Sequence, residues 1–250
     1  MGDINIEEFR QFLKLAEEGN IDAQFNIGRC YFRVGDEVKA FQWYLKSAEG
    51  GNCNAQLNVG IYYESGIGTT KDEAKALYWY LKSAEGGNHM GQINLGNCYR
   101  NGIGITKDEG KAFQWYLKSA EEGNHTGQNN LGCCYLKGIG TTKDEVKAFQ
   151  WFLKSAKGGE HRGQNNLGNC YRKGIGTTKD EAKAFQWYLK SAEGGDHEGR
   201  CSLEFCYFNG IGTTKNKVKA FLWYLKSVKV GHHMVLGVII MLYLLFDFVI

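Results

Sequence analysis

Apolar and polar positions along the chain follow two helical rhythms that return together every 36 residues, marked by tryptophans at 43, 79, 115, 151, 187 and 223. In NHMGQINLGNCYRN (88–101), Leu95 and Tyr99 lie four apart on one face with Gly91 and Cys98 beside them, and positions 93, 97 and 100 fall on the other side. This pattern predicts a first helix, A, over Asn88–Asn101. Asn88 is suited to cap it, as are Asn20, Asn52, Asn124 and Asp196 in the equivalent places. In KDEAKALYWYLKSAE (71–85), Ala76, Trp79, Tyr80 and Ser83 form one stripe, and Leu77 and Leu81 form another. A helix with two apolar sides packs on its own partner and on a neighbouring unit, which predicts a second helix, B, from about Lys71 to Glu85. Thr70 and Glu73 have the spacing of a capping box, repeated at Thr106/Glu109, Thr142/Glu145 and Thr178/Glu181, and Gly86–Gly87 offers a left-handed stop.

Between A and B stands GIGTTKDE at 66–73, with close copies beginning at 102, 138, 174 and 210. Glycine-rich loops can cradle phosphate, but here the lysine does not follow the glycine as a P-loop requires. Repetition at a fixed period instead marks the same corner in a solenoid of small units. The small residue at the Gly91 position (Ala23, Ala55, Gly127 and Gly163 elsewhere) predicts close approach of a neighbouring helix.

Composition narrows the chemistry. A net charge of +3 from 30 basic and 27 acidic residues leaves no footprint for nucleic acid. Five of the eight cysteines (Cys30, Cys98, Cys134, Cys170 and Cys206) share one repeat position, which Tyr62 fills in the second unit. A slot that accepts either residue is packing space, and the remaining cysteines match no zinc spacing. His89, His125, His161, His197 and His233 also recur once per unit. Neighbouring helices lie roughly 10 Å apart, too far for one ion with bonds of about 2 Å to bridge two rungs, so no metal or other cofactor is expected. Asn124-His125-Thr126 is a chance sequon on this reading. The opening MGDINIEEFRQF has acids where a signal peptide needs a basic and then apolar stretch, so reduced thiols and a cytoplasmic location are expected.

The dense pattern in unit two (Ala55, Val59, Gly60, Tyr63, Gly66, Gly68, Asp72, Lys75, Ala76, Trp79, Tyr80, Lys82, Ala84 and Gly87) resembles the Sel-1-like repeat, a relative of the tetratricopeptide repeat. The resemblance covers about residues 20–231 in six units. It implies an all-α, tetratricopeptide-like solenoid of antiparallel helix pairs that acts as a non-catalytic adaptor for partner proteins. Residues 1–19 resemble a lone helix B of a partial unit, and 232–250 form a separate apolar segment. Unit one is four residues short, with RVGDE (33–37) in place of the glycine loop. Thr69, Thr141, Thr177 and Thr213 stand where the family usually has valine. Unit six is atypical, with Glu204 in a glycine slot and Lys217 for the capping acid.

The 93/97/100 side of helix A carries the candidate peptide-binding residues Asn97, Arg100, Asn129, Asn165, Asn169 and Arg172. Asparagine can pair with both the N–H and the C=O of a peptide, and arginine can grip a carboxylate at two points. The segment 234–250, MVLGVIIMLYLLFDFVI, has one charge in 17 residues. It is short for a spanning helix, and three readings stay open: a membrane anchor, an apolar closing helix or oligomerisation surface, and an abnormal terminus. Two alternative functions accompany the adaptor reading. One is a membrane-anchored adaptor of an enzyme complex. The other is a regulatory fragment of a kinase-like protein, since the near-identical units resemble fungal families in which such repeats stand alone or follow kinase-like domains.

Overall fold

The computed structural model describes residues 6–228. The segments 1–5 and 229–250 lie outside the described residues, and with them His233 and the candidate membrane stretch 234–250. No helix among the described residues is long and apolar enough to cross a membrane.

The described chain is all helix apart from its connections and divides into two compact units, Met1–Glu122 and Gly123–Ile250. In the first, α1 (Ile6–Glu17) precedes three hairpins: α2 (Ile21–Arg33) with α3 (Glu37–Glu49), α4 (Cys53–Ser65) with α5 (Glu73–Glu85), and α6 (His89–Asn101) with α7 (Glu109–Glu121). The second contains α8 (His125–Lys137) with α9 (Glu145–Lys157), α10 (His161–Lys173) with α11 (Glu181–Glu193), and α12 (His197–Asn209) with α13 (Lys217–Ser227).

Side-chain caps set the helix starts. Asn20, Asn52, Asn88, Asn124 and Asp196 each accept the backbone N–H three residues on, as expected, and Glu160 accepts from Arg162. The B helices begin later than the threonine spacing predicts. Asp72, extended at φ −151°, accepts the Lys75 N–H at 3.0 Å, so α5 starts at Glu73 and Thr70 lies outside it. The predicted capping box does not form. An aspartate carboxylate is the stronger acceptor, and the Asp72 N–H is already committed to the Tyr63 carbonyl at 2.8 Å, closing the loop. Glu73 pairs instead with Lys71 at 2.7 Å, a pattern repeated at Glu109/Lys107, Glu145/Lys143 and Glu181/Lys179. The backbone N–H of the lysine three residues on is the main reason why the carboxyls of Asp72 and Asp180 sit below their ordinary pKa.

The glycine loops work as corners. Gly66 ends α4 at φ 68° and Gly68 follows at φ 61°. A Cβ on Gly68 would collide with the Glu37 carbonyl, because the loop lies against the first turn of α3; Gly104 meets Glu73, Gly176 meets Glu145 and Gly212 meets Glu181 in the same way. At the end of α5 the left-handed residue is Gly87, at φ 83°, one place after the cap Gly86.

Each core combines a B helix with the A helix that follows it. Ala76, Tyr80 and Ala84 meet Leu95 and Cys98, all buried. A Cβ on Gly96 would lie 2.7 Å from the Tyr116 ring, and Gly28, Gly60, Gly132 and Gly168 face Tyr44, Tyr80, Phe152 and Tyr188 in the same manner. The predicted stripe is buried at Ala76, Tyr80 and Ser83, whereas Trp79 is half-buried. It reaches back to the cluster of Phe41, Tyr44 and Val59; Trp115 and Trp187 likewise pack one cluster back. Ser83 Oγ donates to the Cys53 carbonyl at 2.8 Å, and the close approach expected at Gly91 is made against Ser83. All five cysteines of the shared slot are buried.

The last hairpin departs from this pattern. Glu204 occupies the slot that admits the ring, and Tyr224 is half-buried where Tyr116 and Tyr188 are fully enclosed. Ser227 Oγ donates to the Tyr224 carbonyl within its own helix, at 2.7 Å. Burial pushes the Glu204 carboxyl above its ordinary pKa.

Candidate functional site

On the side of helix A away from the leucine stripe, the buried tyrosine of helix B sends its hydroxyl up between neighbours. In the first unit Tyr116 OH donates to Asn97 Oδ1 at 2.6 Å, fixing the carboxamide so that its N–H₂ group is free to face a ligand. Arg100 lies one turn on, half-buried, with no ion pair to a described residue.

In the second unit Tyr188 OH donates to Asn169 Oδ1 at 2.9 Å and receives Arg172 Nε at 3.1 Å. Burial pushes the Tyr188 phenol up to about 12, so it remains a neutral donor. The Arg172 guanidinium also lies over the Phe205 ring, 5.6 Å from its centroid. With Nε committed, its two terminal nitrogens are left to grip a carboxylate. Arg172, Tyr188, Cys201, Ser202 and Phe205 line a cleft of about 290 Å³ beside this network.

The remaining two candidates occupy a different layer. Asn129 and Asn165 are buried, and their Oδ1 atoms accept from Asn166 Nδ2 at 2.8 Å and Ser202 Oγ at 2.9 Å, respectively. These bonds tie α8 to α10 and α10 to α12. The expected row of six exposed groups is therefore divided: Asn129 and Asn165 join helices, while Asn97, Arg100, Asn169 and Arg172 stand nearer the surface.

Sequence reasoning overlooked the tyrosine hydroxyls. The signal was only partial: where Phe152 lacks the hydroxyl the Asn97 position holds Cys133, but Tyr80 keeps its hydroxyl opposite Ile61 and donates to Glu64 instead. Two of the histidines cover the ends of B helices: His125 Nδ1 lies 3.2 Å from Gln128 Oε1 and its ring covers Gly158, and the His161 ring covers Gly194. His89 Nδ1, by contrast, lies 3.2 Å from a Glu122 carboxylate oxygen. Among the described residues, no three His, Cys, Asp or Glu side chains converge as a metal site would require.

Stacked helical hairpins define an all-α solenoid of the tetratricopeptide-like class. The Sel1 repeat model matches residues 21–52, 53–88, 89–124, 125–160, 161–196 and 200–232, and the chain belongs to the Sel1 repeat family. No curated protein matches it at a significant level. Among solved structures it is similar to a Sel1 repeat protein from Oxalobacter formigenes, at 31% identity and TM-score 0.81, covering 90% of this chain and 98% of that one. It is also similar to c5321, a protective antigen of uropathogenic Escherichia coli with an SLR fold, at 34% identity and TM-score 0.77. That match covers 90% of this chain, which spans about half (48%) of the antigen's length. A Sel1 repeat protein from Klebsiella pneumoniae, at 23% identity and TM-score 0.53 over 79% of this chain and 98% of that one, shares the fold. Sel1 repeat proteins are generally non-catalytic scaffolds for other proteins.

Proposed function

We propose that the protein is a non-catalytic interaction scaffold that binds an extended peptide or acidic tail on its A helices, through Asn97 and Arg100 in the first compact unit and through Asn169 and Arg172 in the second. The observation that carries this reading is the tyrosine–asparagine pair, made at Tyr116–Asn97 and again at Tyr188–Asn169. In each, the hydroxyl occupies the carboxamide oxygen and leaves the N–H₂ group to donate to a peptide carbonyl. Pre-orientation by a buried phenol reduces the side-chain entropy lost on binding. Arg172, with its terminal nitrogens uncommitted, supplies the contact for an acidic side chain. Asn129 and Asn165 hold adjacent A helices in register beneath this surface.

The test is peptide selection from a random display library on the full chain, followed by affinity measurement on Asn97→Ala/Arg100→Ala and Asn169→Ala/Arg172→Ala variants. Selected peptides are expected to bind at least one variant about tenfold more weakly. Undiminished affinity for both variants would rule these residues out as the contact surface.

A further inference from the structure

The first hairpin departs from the repeat on its helix-A face. Where α6 carries Ile93, Asn97 and Arg100, α2 carries Phe25, Arg29 and Phe32, followed by Arg33. On α4, Tyr62 fills the slot that is cysteine in the other hairpins. These replacements converge. Phe25, Arg29, Phe32 and Arg33 face Ile61 and Tyr62 across a cleft of about 480 Å³ between α2 and α4, a size that falls within the roughly 300–1,000 Å³ of ligand-enclosing clefts. Phe32 is 57% exposed, an unusual position for a large aromatic side chain.

Two observations give this cleft a chemistry. Arg29 and Arg33 have no ion pair among the described residues, and both also line an adjoining cleft of about 130 Å³ with Phe12 and Asn26. Two guanidiniums without a carboxylate make a site complementary to acid. Tyr62, for its part, is only 3% exposed, and its buried hydroxyl has no hydrogen-bond partner among the described residues. A buried hydroxyl left unpaired is unfavourable and is relieved by an incoming acceptor. Asn58, also on the cleft, spends its Nδ2 on the Asn54 carbonyl at 3.0 Å, leaving Oδ1 to accept an N–H.

We infer that this cleft receives an aromatic side chain from an acidic peptide. The ring packs among Phe25, Phe32 and Ile61, where edge-to-face contacts are available. Carboxylates on either side of it meet Arg29 and Arg33, and Tyr62 OH donates to an oxygen of the peptide. The inference rests on the scaffold reading but uses α2 and α4, so the two can fail separately.

The probe is a fluorescein-labelled peptide, Glu-Asp-Phe-Asp-Glu, titrated with the full chain and followed by fluorescence anisotropy. Binding is expected to weaken about tenfold or more in Arg29→Glu/Arg33→Glu and to persist in Asn169→Ala/Arg172→Ala. Tyr62→Phe removes only a hydroxyl that has no internal partner, so it should leave the melting temperature undiminished while weakening binding roughly threefold to tenfold. Any of three results overturns the inference: no binding at millimolar protein, equal affinity for a peptide with lysine in place of each acid, or unchanged affinity in both the arginine and Tyr62 variants. Loss of binding in Asn169→Ala/Arg172→Ala alone would also overturn it, while leaving the scaffold reading intact.

Discussion

At the residue scale the repeat depends on where a side chain is missing. Gly96 and Gly110 are both helical glycines, yet they answer to different neighbours. Alanine at Gly96 would drive its Cβ to 2.7 Å from a Tyr116 ring that Asn97 holds by the hydroxyl, so the ring cannot swing aside. Overpacking of this kind costs about 1–3 kcal/mol, more than the roughly 1 kcal/mol that alanine gains over glycine in a helix. Gly110 is exposed, with only the Asp108 carboxylate nearby at 3.4 Å. Urea unfolding should therefore show Gly96→Ala destabilised and Gly110→Ala stabilised, the same substitution with opposite signs. The sequence already showed that Gly91 lies at a close approach, because small residues recur there. It could not show that Asn129 and Asn165 are buried while Asn97 and Asn169 take tyrosine hydroxyls. All four look alike in a helical projection, and only the next A helix separates them.

At the element scale, helix existence and period were legible, and the starts of the B helices were not. Thr70 and Glu73 have the right spacing for a capping box, but spacing alone does not rank acceptors, and Asp72 offers a charge one residue closer to the helix. The shortcomings of the final hairpin were visible in Glu204, and the structure gives them a mechanism. The carboxyl of Glu204, half-buried beside α13, titrates above its ordinary range. The folded state therefore holds a proton that the unfolded chain has released, and stability falls as pH rises from the ordinary carboxyl value through the raised one. Glu204→Gln should remove this part of the pH dependence, read as the midpoint of thermal unfolding from pH 4 to 7 (roughly the carboxylate range). Glu204→Gly reopens the slot for Tyr224. Seating the ring gains about 1.5–3 kcal/mol against a glycine cost of about 1 kcal/mol, so this variant should be more stable than the parent at neutral pH.

Over the whole molecule, the eight cysteines record how regular the stacking is. Burial pushes the thiols of Cys98 and Cys170 up to about 12 and that of Cys206 up to about 11. Cys53, Cys133 and Cys201 are only partly covered. Thiolate is the reactive form, so native protein treated with Ellman's reagent should modify these three first, and the five of the shared slot should react once denaturant is added. Equal rates for all eight would contradict the packing described. The period and the all-helical class were readable because every unit restates them. The α2–α4 cleft was not, because it arises from differences between units, at Phe25, Arg29, Phe32 and Tyr62, and a repeat draws attention to what is the same.

The seating of Gly68 on Glu37, of Gly104 on Glu73, and of their counterparts on Glu145 and Glu181 has a consequence for how such a chain can change its length. Each corner asks the preceding hairpin only for a bare carbonyl at a set place, and every hairpin carries one. Excising residues 53–88 would bring Gly104 to the carbonyl of Glu37, an interchangeable landing point. Gain or loss of whole units thus creates no new kind of junction, whereas an insertion out of phase would leave a glycine corner with nothing to rest on.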